Sequence, residues 1–151
     1  MTSISSLGSG SLLPQEERLE LKKQSKRLFI GVPKEIAFQE SRIAIVPDAV
    51  QLLVSHGHEV LIESTAGEGS NFSDNEFSEA GAKIIYDTKE IYQADIILKV
   101  EPPTLEEIEL MKGRQTLISA LQITTRSQEF INRLIEKKIT CLAYEFIQDD
   151  S

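Results

Sequence analysis

From residue 28 onward the chain alternates two kinds of segment, and this alternation constrains its fold more than any other feature. Short runs rich in Ile, Val and Leu fall at 28–32, 59–63, 83–86, 95–100, 116–121 and 140–145. Between them lie stretches with helical start and stop signals, at 47–56, 74–80, 88–93, 104–111 and 126–137. Pro47 and Asp48 open the first of these, and Gly57 closes it. Gly81 closes the second, and Phe130, Ile131, Leu134 and Ile135 are expected on one face of the last. The strand runs are apolar without strict alternation, so both faces of the sheet must be covered. The expected fold class is therefore α/β: a doubly wound, mostly parallel sheet flanked by helices, Rossmann-like or flavodoxin-like.

The segment before this rhythm reads differently. Residues 1–13 are Ser/Gly-rich at their start and are expected to form a disordered tail. Pro14 and the acids Glu16 and Glu17 then suggest a helix over 14–27, with Lys22, Lys23, Lys26 and Arg27 toward its C-terminal end. Residues 28–151 make the main domain.

Charge and composition exclude several functions. The net charge of -8 offers no basic face for nucleic acid or an anionic membrane. No apolar run is long enough to span a bilayer, and residues 1–11 lack the pattern of a signal peptide. The single cysteine, Cys141, lies in an apolar run and is expected to act as a small hydrophobe. With no disulfide possible within the chain, a cytoplasmic location is expected. His56 and His58 flank Gly57 in a turn, without the partners of a metal site.

A sheet of this kind binds ligands beyond the carboxyl ends of its strands. The first strand is followed by Pro33-Lys34-Glu35, not by a G-x-G-x-x-G turn, so no tight dinucleotide binding is expected of this chain. Gly67-Glu68-Gly69-Ser70 reads as a structural loop. Three polar residues do sit at strand ends: Arg42 in the loop after the first strand, Lys99 at the end of "ADIILK", and Gln122 after the fifth strand. Arginine presents a planar fork to a carboxylate, and lysine a compact charge to a carbonyl oxygen. Arg42 and Lys99 could thus hold a 2-oxo acid. They could equally serve only structure, Arg42 pairing with Glu40 or Glu35, and Lys99 with Glu101 or Asp95.

At these residues the chain resembles the N-terminal domain shared by alanine dehydrogenase and the alpha subunit of NAD(P) transhydrogenase. The resemblance is carried by "IGVPKEIAFQESRIAIVPDAV", "GHEVLIESTAGEGSNFSDNEFSEAGAKI" and "ADIILKVEPP", and runs from about residue 28 to the end. It implies the substrate-side domain of an NAD(P)-dependent oxidoreductase, moving hydride between a nicotinamide and a 2-oxo or 2-amino acid. It also implies that Arg42 and Lys99 bind that acid and Gln122 lines the pocket. NAD or NADP would be held by a separate nucleotide-binding domain absent from this chain, which makes these residues an expected fragment, inactive alone. The family's catalytic histidine position is occupied by Gln122, which hydrogen-bonds but exchanges no proton near neutral pH. Two other roles are therefore weighed: part of a transhydrogenase alpha subunit, and a free-standing, non-catalytic module for a carboxylate or a protein. Expected partners are the small acid, the nucleotide-binding domain and a possible homo-oligomer, with no nucleic acid and no membrane insertion.

Overall fold

The computed structural model describes residues 26–147. The expected tail lies outside the described residues, as does the expected helix except for Lys26 and Arg27, which are not helical.

Among these residues, eleven regular elements alternate as the sequence pattern predicts: β1 (Phe29–Val32), α1 (Pro47–Ser55), β2 (Glu59–Glu63), α2 (Asp74–Glu79), β3 (Lys83–Ile85), α3 (Thr88–Ile91), β4 (Ile96–Leu98), α4 (Leu105–Leu110), β5 (Thr116–Ser119), α5 (Gln128–Glu136) and β6 (Thr140–Ala143). All six strands are parallel, in the order β3-β2-β1-β4-β5-β6. Three short 3-10 turns, Glu68–Ser70, Ile123–Thr125 and Tyr144–Phe146, have no counterpart in the hydrophobic pattern.

Each sheet face carries its own core. Val50 of α1 and Phe77 of α2 pack with Val32, Val60 and Ile62 on one side. Ile108 of α4, with Phe130 and Leu134 of α5, packs with Ile97 and Leu117 on the other. Fully burying such side chains stabilises by about 1.5–3 kcal/mol each, so this two-sided burial drives the fold. Helix starts are locally encoded. Ser73 and Glu76 form a reciprocal capping box on α2, and Thr104 and Glu107 do so on α4.

Two details depart from expectation. Ile135 does not share the buried face of α5; it is 66% exposed. The buried stripe runs through Phe130 and Leu134, and Ile135 lies about 100° further round the helix. The strands β4, β5 and β6 are also shorter than predicted, because their pairing loosens at the carboxyl ends. The ladder persists there only as single bonds, Lys99 N–H to Ile118 O at 2.9 Å and Ala120 N–H to Val100 O at 3.1 Å.

The centre of the sheet is where the topology changes direction. From β1 the chain proceeds outward to β2 and β3, and from its neighbour β4 to β5 and β6. That leaves a crevice beyond the carboxyl ends of β1 and β4. Close packing beneath it depends on Gly31. A Cβ there would lie 2.6 Å from the Ile91 carbonyl oxygen and 2.9 Å from Ala94 Cβ. Since a backbone atom cannot step aside, Gly31→Ala is expected to lose about 2–3 kcal/mol of stability. A urea melt checks this, and an unchanged midpoint would show that α3 can move away from the sheet.

Candidate functional site

The crevice is built from the two segments that leave β1 and β4. Glu35, three residues past β1, reaches across to β4, where its Oε1 accepts the Val100 N–H at 2.6 Å. Its Oε2 lies 3.1 Å from Lys99 Nζ, an ion pair without a directed hydrogen bond. Lys99 also donates to Glu107 Oε1 at 3.0 Å, and the same oxygen accepts the Tyr92 hydroxyl at 2.7 Å. Glu107 Oε2 accepts the Thr104 N–H at 2.7 Å as part of the α4 cap. Burial, and then the Glu107 charge, push the Tyr92 phenol well above its ordinary range, so it remains a neutral donor. Lys99 is 1% exposed. Its ammonium ties together the exit of β1, the exit of β4 and the start of α4.

Arg42 sits further out, with its side chain 67% exposed. The short loop before it folds Glu40 back beneath the guanidinium. Glu40 accepts from Arg42 Nε at 2.9 Å, from Nη2 at 2.5 Å and from the Arg42 backbone N–H at 2.7 Å. The Arg42 hydrogen bond holds the Glu40 carboxyl down at about 2, so Glu40 stays ionised at any ordinary pH. The same pairing raises the Arg42 pKa still further. Only one edge of the fork is used this way. On the other, Nη1 makes no hydrogen bond among the described residues, and Nη2 approaches Glu101 Oε1 at 3.4 Å. The Arg42 loop rests on the glycine turn. A Cβ on Gly69 would lie 2.6 Å from Ser41 O, and Ser70 Oγ donates to that same oxygen at 2.8 Å. The structural reading of Gly67-Glu68-Gly69-Ser70 thus gains a specific task, which is to support the loop that carries Arg42.

Gln122 follows β5 in a left-handed conformation, φ 49°. Its backbone N–H donates to Glu145 Oε1 at 2.7 Å, and its side-chain oxygen accepts from Arg126 Nη2 at 3.0 Å. It contacts neither Arg42 nor Lys99 through a hydrogen bond among the described residues.

The three residues singled out from sequence therefore separate. Arg42 and Lys99 flank one crevice, linked through Glu35, Val100 and Glu101, while Gln122 is turned onto Arg126. Pairing of Arg42 with Glu40 is found as foreseen. Lys99 takes neither Glu101 nor Asp95; Asp95 is paired with Lys112 at 3.1 Å. Glu107 and Tyr92 escape a sequence reading. The Thr104–Glu107 cap is local to the start of α4, whereas the second use of its glutamate is set by the fold. No cluster of three or more His, Cys, Asp or Glu able to hold a metal occurs among the described residues. His56 closes α1 through Leu52 O at 2.7 Å, and His58 Nδ1 accepts the Leu28 N–H. Nor is any helix among those residues long and apolar enough to cross a membrane.

Comparison with known proteins gives the following. The family described as Alanine dehydrogenase/PNT, N-terminal domain, matches residues 31–151. An alanine dehydrogenase from Methanococcus maripaludis is 43% identical over 122 residues, covering 80% of this chain and 32% of that protein. Among solved structures, an L-alanine dehydrogenase superposes with a TM-score of 0.77 at 35% identity, covering 82% of this chain and 34% of the other. A transhydrogenase from Sinorhizobium meliloti superposes with a TM-score of 0.75 at 28% identity, covering 82% and 36%. The chain spans about a third of the length of the curated relatives it matches.

Proposed function

The chain belongs to the alanine dehydrogenase/PNT N-terminal domain family, and from that premise we propose that it forms the substrate side of an oxidoreductase of alanine dehydrogenase type. The full protein would move hydride between NAD or NADP and a small 2-oxo or 2-amino acid. The observation that carries this reading is the guanidinium of Arg42, locked by Glu40 along one edge, while on the other Nη1 is unbonded among the described residues and Nη2 makes only the long contact to Glu101 at 3.4 Å. A carboxylate docks on such an edge through two parallel hydrogen bonds.

In this reading Lys99 takes a supporting part. An ammonium that is 1% exposed and already meets two carboxylates is poorly placed to donate to a substrate keto oxygen. In this reading Lys99 positions the crevice by holding Glu35, and through Glu35 the Val100 backbone, in place. Gln122 lines the far rim and supplies hydrogen bonds but no proton. The exit of β1 is ill suited to a dinucleotide pyrophosphate. Pro33 removes an amide donor from the β1 exit, and the buried Glu35 carboxylate would repel a pyrophosphate there. The cofactor is accordingly assigned to another part of the protein.

The glutamine at position 122 favours a second reading, a transhydrogenase alpha subunit that passes hydride between two nicotinamides. The natural full-length protein separates the two. Reduced nicotinamide formed only when a 2-amino acid is supplied supports the dehydrogenase. Hydride exchange between NAD(H) and NADP(H) without any amino acid overturns it in favour of the transhydrogenase.

A further inference from the structure

We propose that Glu101 is a specificity residue that reads the ammonium of a zwitterionic 2-amino acid held by its carboxylate on Arg42. The inference rests on the assignment of Arg42 as the carboxylate ligand.

The crevice carries more negative charge than its cations need. Glu40 alone satisfies Arg42 along one edge, with two hydrogen bonds from the side chain and one from the backbone. Glu101 then adds a second carboxylate to the same guanidinium, at a long 3.4 Å from Nη2, and its side chain keeps 28% exposure. The buried group behind follows the same pattern, with Glu35 and Glu107 around the single ammonium of Lys99. Among the described residues, four carboxylates thus meet two cations.

Glu101 is also held firmly. The N–H of the preceding Val100 is bound by Glu35, and Pro102 and Pro103 follow it, with their fixed φ angles. A backbone fixed on both sides limits where the Glu101 carboxylate can go and lowers the cost of ordering it beside the arginine edge.

A 2-oxo acid docking on the open edge of Arg42 would set its carboxylate and its electron-rich keto oxygen against Glu101, with like charges in contact. A 2-amino acid docking the same way carries an ammonium one carbon from its carboxylate. That ammonium can bridge to Glu101 and neutralise it, forming a charge-assisted hydrogen bond. The site should therefore hold the amino acid in preference to the oxo acid.

The test is calorimetric titration of the natural full-length protein with L-alanine and with pyruvate. Reduced nicotinamide is kept in excess and ammonia is left out, so that neither acid enters the amination cycle. Glu101→Gln is expected to weaken L-alanine on the order of tenfold while leaving pyruvate unchanged or tighter. An equal change for both acids, or none for L-alanine, would overturn the role of Glu101. Arg42→Ala serves as the control on the underlying assignment. If it weakens both acids while Glu101→Gln fails to discriminate, the carboxylate site stands and the ammonium site falls. If Arg42→Ala affects neither acid, or wild-type protein binds neither, both fall together.

Discussion

Lys99→Ala is expected to cost about 3–5 kcal/mol, enough to unfold a marginally stable domain. The reason is what remains behind. Glu35 and Glu107, both largely buried, would face one another without the ammonium between them, in a region where water is excluded. The burial of a charge pair adds little net stability, but breaking it from one side leaves an uncompensated charge. Glu107 would keep the Tyr92 hydroxyl and the Thr104 N–H, and Glu35 the Val100 N–H, so partial compensation exists. Replacing Glu35 by Gln alongside Lys99→Ala should restore part of the loss, since one of the stranded charges is removed. Urea denaturation of the single and double variants measures both effects. A Lys99→Ala variant as stable as wild type would show that the ammonium does not hold the crevice together.

Arg42→Ala should behave in the opposite way. Arg42 is the exposed member of its pair with Glu40, and it is the guanidinium itself that covers the carboxylate; its removal opens Glu40 to water, so the urea midpoint should hardly move. Loss of a bidentate, charge-assisted contact to the substrate carboxylate should lower kcat/KM for the acid by about a hundredfold or more. Arg42→Lys should recover only a fraction, because a point charge cannot reproduce the fork. The two lysine and arginine variants together separate support from contact: one moves stability, the other moves substrate use. Full activity of Arg42→Ala would remove Arg42 from the site.

The order of elements was legible because each one carries its own local signal. Pro47 and Gly57 bracket α1, Gly81 follows α2, and the β-branched runs mark the strands. The parallel sheet followed from strands buried on both faces. Strand ends were less legible, since hydrophobicity continues into Leu121 after the pairing of β5 has ended. Ile135 shares the apolar face of α5 but stays exposed, because hydrophobicity alone does not set the width of the buried stripe on a helix.

The site divides along the same line. Arg42 and Glu40 lie two residues apart, so their pairing could be read from the chain. The partners of Lys99 could not. Glu35 meets it only because β1 and β4 are neighbours in the sheet, and Glu107 only because α4 folds back over β4. Sequence places an ammonium at the carboxyl end of a strand. Only the strand order shows that it faces inward, onto two glutamates, while the Arg42 side chain stays 67% exposed. Gln122 was sited correctly at a strand end, but its left-handed backbone and its bond to Arg126 arise from a turn with no hydrophobic signature.

The most direct test of the account observes Arg42 itself. Nitrogen-15 spectra of the arginine side chains would be recorded on the natural full-length protein as pyruvate and L-alanine are added. The account predicts a saturable shift of the Arg42 Nη resonances, with the Nε–H held nearly constant by Glu40, and a midpoint that matches the binding constant of the acid. Saturation of the protein by either acid with no change at any Arg42 resonance would contradict it.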